Sequence, residues 1–271
     1  MTRLISRMGM LFALCLAAGA AMGEEAPVDI VYPSSADAAD SRANYYVKLL
    51  ELAMGKTGAP YTLHPFVFET SGSRVRQRIE DEEDINLTWA LTSKDWEKNL
   101  APVRIPLDKG ILGWRLFLIN KSDEKIFARV RTLADLARYA AGQQRDWTDV
   151  AILRANGLQV VDAAIYESMF KMLVAGRFQY FPRGVGEIWG EEERNAALGI
   201  EVEPRLALHY PVQTYFFVSR KNMRLHDLLE QGLHAAMRDG SFDKLFEQYN
   251  GEALKKARLE NRRVFELKAP Q

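Results

Sequence analysis

Short apolar runs and amphipathic stretches alternate along most of the chain. Residues 28–32 (VDIVY) form an apolar run that stops at Pro33, Ser34 and Ser35, the pattern of a buried strand meeting a turn. Residues 41–54 then place Tyr46, Leu49, Leu50 and Ala53 on one helical face, and Gly55 and Gly58 close that helix. The spacing predicts a strand over 61–68, a polar helix over 74–83 and a strand over 85–91 (INLTWAL). A strongly apolar strand follows at 111–120 (ILGWRLFLIN). Thr132 with Asp135 three residues on is a capping-box pattern, which predicts a helix over 132–141. Residues 150–153 fit a short strand or the first turn of a helix equally well. An amphipathic helix over 166–175 ends at Gly176, a strand follows at 178–181 (FQYF), and 187–198 reads as a charged helix. Beyond a strand at 215–219 (YFFVS), Leu225, Leu228, Leu229, Ala236 and Met237 turn inward on a helix over 225–238. Gly240 ends it and Ser241 caps a short last helix carrying Phe242, Leu245, Phe246 and Tyr249. The basic tail from Leu254 is expected to be poorly ordered at its end.

This alternation argues for α/β architecture. With 271 residues, 48% of them hydrophobic and 27% charged, the chain can bury a core without disulfides or metals. Its 36 basic and 36 acidic residues cancel, so no global basic field exists to attract nucleic acid. The first 23 residues read as a secretory signal. Arg3 and Arg7 make a positive start, 8–18 a short apolar run, and Ala21-Met22-Gly23 a small-x-small cleavage site. That run is shorter than the ~20 residues needed to span a bilayer. The single cysteine, Cys15, lies inside this segment behind Leu14, where a lipoprotein signal wants a small residue. The mature chain therefore offers no disulfide, cysteine nucleophile or cysteine metal ligand.

The order of these segments resembles the solute-binding proteins of family 3, which have the type II periplasmic binding protein fold. Residues 215–250 (YFFVSRKNMRLHDLLEQGLHAAMRDGSFDKLFEQYN) look like that family's returning strand, Leu-rich helix, Gly turn and "KL…Y" helix. LADLARYAAGQ at 133–143 is similar to its lead into the second lobe, and 166–184 to its ligand-facing strand. The resemblance implies two α/β lobes, each an open, mainly parallel sheet flanked by helices. Lobe 1 would hold 24–110 and the return segment and tail at 213–271; lobe 2 would hold 111–212. Two crossing segments, near 105–111 and 209–214, would form the hinge. The implied protein is a periplasmic monomer without cofactor that closes its lobes on a small solute. Its partners would be the membrane subunits of an ABC-type transporter or a sensor. Two residues depart from the family pattern. An arginine that clamps the ligand's carboxylate is expected shortly after Thr92, where Ser93 and Lys94 stand instead. The aspartate that receives the ligand's ammonium falls near Arg183 or Gly184. Both departures argue against an ordinary α-amino acid and for a small polar or anionic solute.

In open α/β sheets, ligands bind beyond the carboxyl ends of the strands. That rule selects Tyr32 and Ser34 after the first strand, Glu69 after the second and Thr92 after the third. It adds Arg145 and Trp147 in the loop at 143–149, and Arg183 after the strand at 178–181. Arg183 fits an anion clamp or a structural arginine paired with Glu187 four residues on. Trp147 fits stacking on a planar or cationic ligand, or a core anchor. Enzyme motifs are scarce. Gly55-Lys56-Thr57 lacks the phosphate-loop glycine at position 50, which is Leu50. Gly184-Val185-Gly186 lacks a third glycine, and no G-x-S-x-G elbow occurs. His226 and His234 are too far apart on one helix for an i, i+4 metal pair, so no metal is expected. Two alternatives stand beside solute binding. One is a cleft enzyme of the cyclic-acid dehydratase kind, which needs a carboxylate with a raised pKa. The other is a ligand-free signalling or assembly module, whose cleft its own side chains would fill.

Overall fold

The computed structural model describes residues 26–35, 42–67 and 72–269, so the signal-type segment and Glu69 lie outside the described residues. The chain begins with β1 (Val28–Ser34), α1 (Asn44–Gly55), β2 (Tyr61–Val67), α2 (Gly72–Glu80), β3 (Leu87–Leu91), α3 (Lys94–Asn99) and β4 (Leu100–Val103). The middle holds β5 (Trp114–Asn120), α4 (Glu124–Phe127), α5 (Leu133–Leu136), β6 (Ala140–Gln144), α6 (Thr148–Ala155), β7 (Gln159–Ala163), α7 (Tyr166–Val174), β8 (Tyr180–Gly184), α8 (Ile188–Asn195), β9 (Ile200–Val202) and β10 (Leu206–His209). The return is β11 (Thr214–Ser219), α9 (Met223–Arg238), α10 (Ser241–Ala257) and β12 (Arg263–Glu266).

These elements build two lobes. In lobe 1, β1 pairs in parallel with β2, and β11 lies between β3 and β4. Asn86 joins β1 to the approach of β3: its side-chain oxygen accepts from Val31 N–H (2.9 Å) and its own N–H donates to Val31 O (3.0 Å). The inward stripe of α1, including Tyr46, Leu49, Leu50 and Ala53, packs on Ile30, Leu87 and Phe216 and on Leu229 and Leu233 of α9. The two helices approach closely at Gly232, where a Cβ would stand 2.0 Å from Ala53 O. Lobe 2 is a seven-stranded sheet in the order β12-β10-β5-β8-β6-β7, with β9 also pairing β5. Phe117, Tyr180 and Leu208 fill the core on one side of this sheet, and Leu116, Phe178 and Phe181 fill the other. In lobe 1 the β1–β2 pair is parallel and the β3–β11–β4 group antiparallel, as two separate sheets, whereas the lobe 2 sheet is mixed: β6–β7–β8 and β10–β12 are parallel and β5 runs antiparallel to its partners.

Several elements differ from the sequence reading. The capping box forms as predicted, with Thr132 Oγ1 accepting from Asp135 N–H (3.1 Å), but its helix stops at Leu136 and residues 140–144 are strand. The small residues there make room for Phe178, whose ring would lie 2.3 Å from a Cβ on Gly142; tertiary packing overrides an Ala-rich helical pattern. Residues 150–153 are helical, within α6. β4, which the sequence reading passed over, carries Pro102 and pairs with β11 alone, so the missing N–H falls on an edge. Gly240, at φ 78°, occupies the N-cap of α10, and Ser241 Oγ instead donates to Asp239 Oδ1 (2.6 Å). α10 is 17 residues long rather than short. The tail beyond it is ordered: β12 pairs in parallel with β10 and buries Phe265 and Leu267 in lobe 2. The chain thus passes between the lobes three times, near 104–113, near 210–213 and through α10.

Candidate functional site

The carboxyl end of β8 (YFPRG) is buried along its whole length. Arg183 leaves it to meet α8, where Glu187 and Glu191, one turn apart, face the strand. Its Nε donates to Glu191 Oε2 and its Nη2 to Glu191 Oε1, both at 2.7 Å, and Nη2 lies 3.0 Å from Glu187 Oε2. Trp147 covers the guanidinium at 4.5 Å, with Phe181 at 5.0 Å and Tyr166 at 5.4 Å. Tyr166 OH donates to Glu191 Oε1 (2.6 Å). Arg183 is 2% exposed. Burial alone would lower its pKa, but the two glutamates hold it well above the usual value.

A second buried network abuts the first. Arg115 on β5 donates through Nε to Tyr210 OH (2.7 Å) and through Nη2 to Asp149 Oδ2 (3.1 Å), and Tyr210 OH donates to Asp149. Arg115 Nη1 has no hydrogen-bond partner and lies 3.8 Å from Glu187 Oε2. Gly184 N–H donates to that same oxygen (3.2 Å). Burial would raise the Glu187 pKa, yet Arg183, Arg115 and Arg42 together hold it below the ordinary value of 4.5.

Glu187 borders a cavity of about 230 Å³ where both lobes and α10 meet. Arg42, Tyr45 and Tyr46 from the start of α1 form one wall, and Tyr249 and Asn250 of α10 another. The phenols are fixed by the first crossing segment: Tyr45 OH donates to Leu107 O (2.5 Å) and Tyr46 OH to Asp108 Oδ2 (3.1 Å). Asp108 is buried, which pushes its pKa up, and it also accepts from Thr214 Oγ1 (2.8 Å) at the second crossing. The lobes touch directly. Thr148 Oγ1 donates to Leu91 O (3.2 Å), Ser73 Oγ to Asp146 Oδ2 (3.0 Å), and the Arg42 guanidinium lies 3.7 Å over the Tyr166 ring.

The sequence-predicted residues separate into groups. Arg183 and Trp147 come together, stacked, with Arg183 given over to glutamates. The structure thus contains the Arg183–Glu187 pair foreseen as the structural alternative, and a stronger one to Glu191. Tyr32 is packed against Trp89 (6.1 Å between ring centres) in the lobe 1 core. Ser34 is half-buried at the end of β1. Thr92 Oγ1 donates to Glu97 Oε1 (2.5 Å), and Glu97 also pairs with Arg104. Arg145 is exposed and donates to Asp162 Oδ1 (2.7 Å) on β7. None of these borders the cavity. Sequence reasoning missed Arg42, Tyr45, Tyr46, Tyr249 and Asn250. One available signal was the Tyr45-Tyr46 pair at the start of a helix whose apolar stripe needs only one of them.

Among the described residues, His226, Asp227 and Glu230 on α9 are the group whose ligand atoms approach closely enough for a metal. His226 Nδ1 lies 2.9 Å from Asp227 Oδ1, itself a member of the group, and Nε2 lies 3.3 Å from Pro102 O; the cluster sits on α9, away from the cavity lining. Among the described residues, no helix is long and apolar enough to cross a membrane.

Two α/β lobes joined by crossing segments, with a cavity between them, match the type II periplasmic binding protein fold. Solved structures share it over nearly their whole length. An ancestral arginine-binding protein bound to arginine superposes with a TM-score of 0.61 at 14% identity, covering 83% of this chain and 99% of that one. A periplasmic binding protein of Salmonella typhimurium with high arginine specificity gives 0.62 at 12% identity over 82% and 99%. The ligand-binding core of GluR0 from Nostoc punctiforme, in complex with L-glutamate, gives 0.59 at 13% identity over 82% and 99%. At these identities the likeness is one of fold. A scan against protein-family models finds no match, and a search of curated proteins finds no significant one.

Proposed function

We propose that this chain is a solute-binding protein of the family 3 kind, without enzymatic activity of its own. In this reading the segment at 1–23 exports it to the periplasm. There it works as a monomer, with lobe 1 and lobe 2 divided near 110 and 212 and again within α10, since the tail beyond that helix joins lobe 2 rather than lobe 1 as the resemblance implied, and it serves ABC-transporter membrane subunits or a sensor. The observation that carries the reading is the cavity between the lobes, whose wall mixes apolar surface with polar groups. Its volume of about 230 Å³ falls below the ~300–1,000 Å³ of pockets for drug-sized ligands, which points to a small solute. Its polar groups are one carboxylate (Glu187), one guanidinium (Arg42), three phenols and two amides (Asn44 and Asn250), with no excess of positive charge. A small polar solute with no net charge fits this wall better than an anion, because Arg183 is already neutralised by its own glutamates.

Native mass spectrometry of protein purified from its host tests this, followed by thermal shift with the molecule found. The expected result is one small polar molecule per chain that raises the melting temperature; a ligand at 100 times its Kd adds about 2.7 kcal/mol. A bare chain, together with no shift across a broad panel of neutral, zwitterionic and anionic solutes, would refute the reading.

A further inference from the structure

A single helix belongs to both lobes. The first half of α10 is set in the lobe 1 core through Phe242 and Phe246, which lies edge-on to Tyr45 at 6.1 Å. Its second half is set in lobe 2. Ala257 is fully buried in that core, Trp189 Nε1 donates to Ala253 O (3.1 Å), and Lys256 sits 4.2 Å over the Trp189 ring and 3.6 Å from Glu192 Oε2. Leu254 packs on both cores. Past residue 258 the chain is stitched to lobe 2 by β12, with Arg263 N–H donating to Arg205 O (2.7 Å) and Leu267 N–H to His209 O (2.8 Å).

A helix of 17 residues is a rod of about 25 Å. A rod anchored at both ends does not let two lobes swing freely about two extended crossings. Either one end must leave its core or the rod must bend. The middle of α10 offers the bend. Gly251, buried and interior to the helix, is its weakest helix former, and it directly follows Tyr249 and Asn250, which line the cavity. Lobe 2 approaches tightly here: a Cβ on Gly186 would stand 2.9 Å from Asn250 Oδ1.

We infer that α10 is a strut that holds the lobes at one separation, and that their relative motion is confined to a pivot at Asn250–Gly251 beside the cavity. The strut needs no ligand to act, so its test is independent of the proposed function. Spin labels at Lys94→Cys on α3 and Glu167→Cys on α7, in a Cys15→Ser background, report lobe separation by pulsed dipolar spectroscopy. The solute-free protein is expected to give one narrow distance distribution. Inserting Gly-Ser-Gly after Asn250 cuts the rod while leaving the contacts of each half, and is expected to broaden that distribution at least twofold. Deleting residues 252–271 is expected to do the same. Two resolved separations in the unaltered, solute-free protein would overturn the inference whatever the variants do. So would an unchanged distribution in a cooperatively melting insertion variant.

Discussion

Replacing Arg183 by methionine separates a clamp for solute from a brace within lobe 2. The Arg183 and Glu191 side chains are 3% and 0% exposed, so solvent does not screen their attraction. Removing one partner of such a pair leaves the other charge buried and costs about 3–5 kcal/mol. Tyr166 OH also donates to Glu191, but a neutral phenol does not replace the lost positive charge. In a chain of this size each kcal/mol moves the midpoint by about 2–4 °C, so Arg183→Met should melt roughly 6–20 °C lower. The double variant Arg183→Met with Glu191→Met replaces the pair with apolar groups under Trp147 and should recover at least half of that loss, since such exchanges are often neutral. Differential scanning calorimetry of the three proteins at neutral pH reads both effects. A single variant that melts within about 2 °C of the parent, or a double variant worse than the single, would refute this account of a buried structural pair.

Three further outcomes follow from the same packing. Gly232→Ala should lose about 1–3 kcal/mol in urea unfolding, because the new Cβ would stand 2.0 Å from a backbone oxygen of α1 rather than a movable side chain; an unchanged midpoint would mean the helices do not approach this closely. Tyr210→Phe should lose about 1–3 kcal/mol, since it takes a partner from both Arg115 and Asp149 in the interior, and urea unfolding again checks it. The third concerns acid. The Glu187 pKa is held below its unfolded value near 4.5. Its contribution is therefore fully present above that value and is lost as pH falls through the folded one. Melting temperature should drop below pH 4.5 in the parent, and Glu187→Gln should flatten the drop; equal slopes would assign the acid sensitivity elsewhere.

Strand and helix order was legible wherever one face of an element meets a core, as in α1, α7, α9 and β5. It failed where long-range packing chose the conformation. Residues 140–144 became a strand because Phe178 lies across Gly142, and the tail became a strand because β10 presents an open edge to it. The site was less legible. The strand-end rule selected Arg183 and Trp147 as candidates but could not say that Glu191, eight residues on, would take both nitrogens of the guanidinium. It also looked only at strand ends, whereas the cavity is bordered by the first turn of α1 and the middle of α10, helix positions that periodicity assigns to packing.

Arg183 accounts for where the cavity lies. An arginine at the end of β8 must be neutralised in a site that is nearly dry, and α8 supplies the charge through Glu187 and Glu191. Trp147 and Tyr166 then close over it, and Arg42 of lobe 1 settles on the far ring, so the space just beyond β8 is occupied by the protein itself. What stays open is the volume on the other side of Glu187, against α1 and α10. Of these two helices, α10 is the one docked in both cores. On the proposed reading, a solute bound there would press on the middle of the strut rather than on two free lobes, which would tie the shape of the ligand to any bending of α10 through Tyr249 and Asn250.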